Sequence, residues 1–220
     1  MATKPKTPQP STPTEVQERD LFETPRYATE LILPFIPPIT RYIWEPCAGV
    51  KRRMAQVLGI HLGEQWGDGD WDVHCTDICT RPEWDCLTYD PDDKGYHWDA
   101  AITNPPFSLK KKVWERFVKL DKCFALLIPA DYSLWIIEAI KAGAEKVVPT
   151  RRIDYITPNL LERLNAGEHT NHTSLLGIPG SILARYSTSQ FHSMFLCWKF
   201  GIGRTETFVE LTREMKLNIL

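Results

Sequence analysis

Short apolar runs alternate along most of this chain with stretches in which apolar residues recur every three or four positions. The runs Tyr42–Glu45, Trp71–Thr76, Asp85–Thr88, Trp98–Thr103, Cys123–Ile128, Ile153–Ile156 and Ser193–Phe200 have the length and apolar enrichment of strands. Between them, Lys51–Leu58, Leu109–Leu120 and Ser133–Ala142 read as helices. In Leu109–Leu120 the residues Val113, Phe117 and Leu120 define one apolar stripe, and Lys110, Lys111, Lys112 and Lys119 lie largely off it. Ser133–Ala142 has Asp131 or Ser133 as a candidate cap and Gly143 as a stop. Strands alternating with helices predict a doubly wound α/β sheet with helices on both faces.

The first 18 residues depart from this pattern. Pro5, Pro8, Pro10 and Pro13 stand among Thr, Lys and Gln, a composition too polar to build core, which predicts a flexible tail over 1–18 and a single folded domain over 19–220. With 220 residues, 43% of them hydrophobic and 25% charged, one full-sized core is expected. The formal net charge of −2 excludes a polycation, so contact with nucleic acid has to come from local basic clusters. No apolar stretch approaches the ~18 residues of a membrane span and no signal-peptide core opens the chain, so a soluble, cytoplasmic protein without a membrane partner is expected. The six cysteines, Cys47, Cys75, Cys79, Cys86, Cys123 and Cys197, form no CxxC pair, so reduced thiols and no metal site are expected.

The most specific chemistry lies in Asn104-Pro105-Pro106-Phe107, directly after the run Trp98–Thr103. A strand's carboxyl end is where open α/β sheets bind ligands. An exocyclic amino group on a planar ring is a poor nucleophile because its lone pair is delocalised. Two hydrogen-bond acceptors, the Asn104 side-chain carbonyl and the Pro105 backbone carbonyl, would each take one N–H and localise that pair toward an incoming methyl. Pro105 and Pro106 have fixed φ and no N–H, which holds the carbonyl outward, and Phe107 offers a face for an extruded base. The same four residues also suit a strand-ending Pro-Pro turn with a capping Asn.

Upstream, Trp44-Glu45-Pro46-Cys47-Ala48-Gly49 joins the first strand to a helix through an acid and a small-residue turn, the composition of a cofactor cradle. Lys51 stands where a second glycine of a dinucleotide fingerprint would fall, so NAD or FAD is not indicated. Asp77, 28 residues beyond Gly49 at the end of the second strand, occupies the place of a ribose-binding acid, although a turn role fits it as well.

In their order and spacing these residues resemble the S-adenosylmethionine-dependent amino-methyltransferases, especially the solitary, phage-like DNA adenine-N6 methyltransferases. The resemblance spans about residues 20–200 and is carried by Asp20-Leu21-Phe22-Glu23-Thr24-Pro25, by Glu45-Pro46-Cys47-Ala48-Gly49 and by Asn104-Pro105-Pro106-Phe107. Only 55 residues separate Gly49 from Asn104, which leaves no room for a recognition domain between them. The resemblance implies a Rossmann-like class I methyltransferase fold, a seven-stranded mixed sheet whose last strand is antiparallel, and S-adenosyl-L-methionine as cofactor. It assigns Thr24 and Pro25 to the methionine end, Glu45, Pro46 and Gly49 to the cofactor loop, Asp77 to the ribose and Asp85 to the adenine of the cofactor. It assigns Asn104, Pro105, Pro106 and Phe107 to the target amine. Lys51 departs from the family's pattern and bears on the tightness of cofactor binding.

For the target, DNA in a bacterial or phage-infected cell is the expectation. Three basic clusters stand near functional loops: Lys51-Arg52-Arg53, Lys110-Lys111-Lys112 and Arg151-Arg152. Each also suits a solvated helix face. Lys110, Lys111 and Lys112 follow the Asn104 loop directly and are the best placed to grip phosphates, with Arg151 and Arg152 next. Residues 157–191, long, polar and glycine-containing, read as a target-facing region. Adenine in RNA, a glutamine amide in a protein, and a non-catalytic nucleic-acid-binding protein of the same fold are the competing readings.

Overall fold

Strands buried at nearly every position explain how the chain forms packed layers on both faces of one sheet. In this computed structural model, which describes residues 22–156 and 191–217, seven strands form a single mixed sheet. They are β1 (Tyr42–Glu45), β2 (Asp72–Cys75), β3 (Ala100–Thr103), β4 (Cys123–Pro129), β5 (Glu145–Pro149), β6 (Ser193–Trp198) and β7 (Glu206–Val209). The helices are α1 (Arg26–Glu30), α2 (Arg53–Trp66), α3 (Lys110–Leu120) and α4 (Leu134–Lys141). On one face Ile43, Ile102, Ala125, Leu127, Phe195 and Cys197 meet Tyr27 and Leu31 of the α1 region and Met54, Leu58 and Leu62 of α2. On the other, Trp44, Ala101, Phe124, Leu126, Ile128 and Leu196 meet Val113 and Phe117 of α3 and Ile136 and Ala139 of α4. Because successive strand residues point to opposite faces, β3 and β4, covered on both sides, read as continuous apolar runs.

The strand order is β2-β1-β3-β4-β6-β5-β7. β1 pairs in parallel with β2 and β3, β3 with β4, and β5 with β7, whereas β6 is antiparallel to both β4 and β5. From β1 the chain moves out to β2, then crosses back to β3 on the other side of β1. The connections leaving the carboxyl ends of β1 and β3 therefore diverge, and a crevice is left between them.

Two expected strands are corrected. Residues 85–88 form a turn after a short 3₁₀ segment, Pro82–Trp84, because the Asp85 carboxylate accepts the Leu87 N–H at 2.9 Å and diverts the backbone from a ladder. Residues 153–156 make a single bridge, Ile156 to Glu23, rather than a strand. Their places are taken by β5 and β7. In β5 the buried Lys146, paired with Glu206 of β7, breaks the apolar run that marks a strand in sequence. Ser193–Trp198 is antiparallel as expected, but β7 follows it in the chain. Helix α2 runs on to Trp66 through Gly59 and Gly63, where a Cβ on Gly63 would meet the Trp71 ring at 3.3 Å, so the glycines make room for that indole. The expected tail over 1–18, and all but the last residue of 157–191, lie outside the described residues. Among the described residues no helix is long and apolar enough to cross a membrane.

Phe117 is fully buried beneath Trp44 and Phe124, with ring centroids at 5.3 and 5.5 Å. Phe117→Ala should lower the unfolding free energy by about 3–5 kcal/mol, whereas Lys112→Ala on the exposed side of α3 should change it by less than about 0.5 kcal/mol. Urea denaturation of both variants checks this; equal effects would contradict the packing of α3 on β4.

Candidate functional site

Three stretches meet at the carboxyl edge of the sheet. The loop after β1 and the loop after β3 flank the crevice, and the segment from Phe22 to Pro25 runs across it. That segment is tied down by a two-way bridge, with Glu23 N–H donating to the Ile156 carbonyl at 2.9 Å and Ile156 N–H to the Glu23 carbonyl at 3.0 Å. The result is a cleft open to solvent and lined by Phe22, Glu23, Thr24, Glu45, Cys47, Ala48, Gly49, Arg52, Arg53, Met54 and Asn104. The structure thus brings Thr24, Glu45, Gly49 and Asn104, which are distant in sequence, around one space.

Glu45 is a buried acid on this cleft. It ends β1 and is only 3% exposed, and its Oε2 has no hydrogen-bond partner. Burial pushes its carboxyl up to about 8; the Ala55 amide in the first turn of α2 pulls it down, Asp77 pushes it further up, and Arg52 draws it down. Asn104, immediately after β3, places Nδ2 at 3.5 Å from the Phe22 carbonyl, while its Oδ1 is buried without a partner. Two buried acceptors, Glu45 Oε2 and Asn104 Oδ1, are therefore left unmade on the same cleft. Buried polar atoms are paired in folded proteins as a rule, so each of these two calls for a partner such as a water, an ion or a ligand. Gly49 has φ +64°, and a Cβ placed there would meet nothing within 4 Å, so backbone conformation rather than crowding calls for glycine and the cleft side of the loop is open.

The other expected site residues are placed around this centre. Pro46 and Pro25 are buried behind the cleft lining, Pro25 as the residue preceding α1. Asp77 is not part of the lining. Its two carboxylate oxygens accept the Gly49 N–H at 2.9 Å and the Cys79 N–H at 2.8 Å, so it holds the β1 loop in shape. Asp85, 6% exposed, also stands outside the lining in its turn. Pro105 is buried, and the Pro106 carbonyl accepts the Leu109 N–H at 2.8 Å, closing a turn into α3. Phe107 is half-buried in an aromatic cluster with Phe22, Tyr155 and Phe191, at centroid distances of 6.1, 5.8 and 5.1 Å. Phe22 belongs to both the cluster and the cleft and forms their common wall.

Of the basic residues, Lys110 is paired with Asp131 and Lys111 with Glu115 at 3.7 Å, and Lys112 is exposed. Arg151 and Arg152 are exposed just beyond β5, at the same sheet edge as Asn104. The Arg53–Glu23 ion pair, Nε to Oε2 at 2.6 Å across the cleft, was not foreseen, because no spacing in sequence links two residues on different segments. Tyr155 lies in the expected strand Ile153–Ile156 and Phe191 at the end of the expected target-facing region, and no local pattern links either to Phe107. Cys47 stands on the cleft with its Sγ 3.8 Å from that of Cys86, which together with burial pushes its thiol well above the ordinary range and disfavours a thiolate nucleophile. No family model matches the chain, and no curated protein matches it in sequence.

The raised Glu45 carboxyl gives stability a definite pH dependence. Its folded value of about 8 lies above its ordinary 4.5, so the folded protein keeps a proton that the unfolded chain releases. This contribution is complete below about pH 4.5 and is lost as pH rises through about 8. Glu45→Gln removes the titration, and its stability relative to wild type should rise between pH 5 and pH 8.5 by on the order of a few kcal/mol. Chemical denaturation at the two pH values tests this; a constant difference would contradict the burial of an ionisable Glu45.

Proposed function

We propose that this protein transfers a methyl group from S-adenosyl-L-methionine to the N6 amine of adenine in DNA, within a class I methyltransferase fold. The observation that carries the reading is Asn104: a strand-terminal amide at the strand-order reversal, its carbonyl oxygen buried and unpaired beside a cleft shared with Glu45, Gly49 and Thr24. The donor set fits the cofactor. An approaching cationic ligand favours the ionised form of the buried Glu45 carboxyl, which then offers its oxygens to it, and a glycine turn suits close backbone approach. Thr24, Glu45 and Gly49 would hold it, with Asp77 keeping the Gly49 turn in the required shape. The antiparallel β6 lying between β4 and β5 in an otherwise parallel sheet supports the fold assignment.

S-adenosyl-L-methionine, when bound, supplies a methyl group on a positively charged sulfur. The chain's part is to prepare the acceptor. Asn104 Oδ1 and the Pro105 carbonyl would accept the two N–H groups of the amine, drawing its lone pair out of the ring and stabilising the positive charge that develops on nitrogen as it gains the methyl; the methylated nitrogen then releases its surplus proton to solvent. The pair of prolines fixes the acceptor geometry with little reorganisation. Phe107, set against Phe22 and Tyr155, is a ready platform for a base brought out of its stack. The exposed Arg151 and Arg152, just beyond β5, and Lys112, in the first turn of α3, offer phosphate contacts.

Incubation with methyl-labelled S-adenosylmethionine and separate pools of DNA, RNA and protein, followed by digestion and identification of the labelled residue, tests the reading. N6-methyladenine in DNA is expected. Label in RNA adenine or in protein glutamine would transfer the chemistry to another substrate, and no label in any pool would favour a binding protein. Asn104→Ala should lower turnover at saturating cofactor by on the order of 10²-fold or more, a larger effect than on cofactor affinity. Near-normal turnover in that variant would reject the role of the amide.

A further inference from the structure

A second opening lies on the face of the sheet that carries α3 and α4, away from α2 and the segment that crosses the cleft. Lys111, Trp114 and Glu115 of α3 and Trp135 and Glu138 of α4 stand three or four positions apart, so each set falls on one side of its helix. Trp198, the last residue of β6, completes the groove. Trp114 is its centre: Trp135 and Trp198 pack against it at ring-centroid distances of 6.2 and 5.9 Å, and Phe124 of β4 holds it edge-on at 5.0 Å. The space is about 270 Å³, at the lower end of ligand pockets, so it suits a small group.

The lining determines the sign of that group. Two carboxylates, Glu115 and Glu138, face one ammonium, Lys111. Lys111 reaches Glu115 at 3.7 Å with both side chains more than half exposed, a pair that solvent screens and a competing cation can displace. An indole carries negative potential over its face, so indoles beside carboxylates attract a cation and disfavour a phosphate. The apolar walls narrow the class further. A primary ammonium would leave N–H donors against rings that cannot accept them well, whereas an N-alkylated ammonium packs its methyl groups on the aromatic surface. The Trp198 N–H is buried without a hydrogen-bond partner and calls for an oxygen, from water or from a ligand. We propose that the groove between Trp114, Trp135 and Trp198 is a binding site for a small N-alkylated ammonium ion, its charge held by the indoles and by Glu115 and Glu138. This site shares no lining residue with the methyl-transfer cleft and does not depend on that reading.

The test is calorimetric titration of the full chain with three alcohols: choline, ethanolamine, which lacks the methyl groups, and the neutral dimethylbutanol in which carbon replaces the choline nitrogen. Choline should bind about 10-fold more tightly than its neutral isostere, and more tightly than ethanolamine. Trp135→Leu, which keeps apolar surface but removes the ring, should abolish the preference for choline over the isostere, and Trp135→Phe should keep part of it. Glu138→Gln should weaken choline by about 2- to 5-fold and leave the isostere unchanged. Circular dichroism and thermal unfolding establish that each variant is folded. Equal binding of choline and the isostere would make the groove merely apolar, and equal binding of choline and ethanolamine would leave the carboxylates alone responsible; either result overturns the proposal. A preference that survives Trp135→Leu would put the ion elsewhere, and no binding of choline would mean that the three indoles only pack α3, α4 and β6 together; these overturn it too.

Discussion

The chain leaves β1 for the edge of the sheet and returns on the other side of β1 as β3, and the candidate site depends on that reversal. Two loops that depart in opposite directions cannot pack against each other, so the carboxyl ends of β1 and β3 are left with a gap. Into this gap project the last residue of β1, Glu45, and the first residue after β3, Asn104. The segment from Phe22 to Pro25 covers one side of it, pinned by paired backbone hydrogen bonds to Ile156. Glu45 is buried at the end of β1, and its raised proton affinity follows from that burial. Below about pH 8 this carboxyl is neutral, and the charges on the cleft are those of the Arg53–Glu23 pair and of Arg52. The same architecture therefore supplies both signs of charge within one cleft.

Around this opening, polar groups that resemble binding residues in sequence also serve as supports. Asp77 spends both carboxylate oxygens on backbone amides of the β1 and β2 loops, and Asp85 closes a turn with Leu87. Such bonds fix the positive-φ turn at Gly49 that a cofactor cradle needs. Phe107 is similarly held, edge-on to Tyr155 and Phe191, so that the ring position is set by packing rather than by a flexible loop. A preorganised aromatic wall next to a preorganised amide is what transfer to a planar amine requires.

Much of the scaffold was legible from pattern alone. β1 matches its expected bounds, and β3, β4 and β6 lie within a residue or two of theirs, because each is a continuous apolar run between turn residues. Asp85–Thr88 failed because a single side chain capping its own turn outweighs the apolar content of Cys86 and Leu87. β5 was missed because Lys146 reads as polar until its partner Glu206, 60 residues away, is known. The site divides in the same way. Thr24, Glu45, Gly49 and Asn104 carry local motif signals and do line one cleft, whereas the Arg53–Glu23 pair and the Tyr155 and Phe191 rings exist only through tertiary contact.

The central claim is that the gap between β1 and β3 is where S-adenosyl-L-methionine binds. Hydrogen–deuterium exchange followed by mass spectrometry, with and without saturating cofactor, addresses it residue segment by residue segment. The account predicts slowed exchange in peptides covering 22–25, 45–55 and 103–107, with no change over 114–120 and 134–141, in α3 and α4 on the opposite layer. Protection confined to the face formed by α3 and α4, or no protection anywhere, would contradict it.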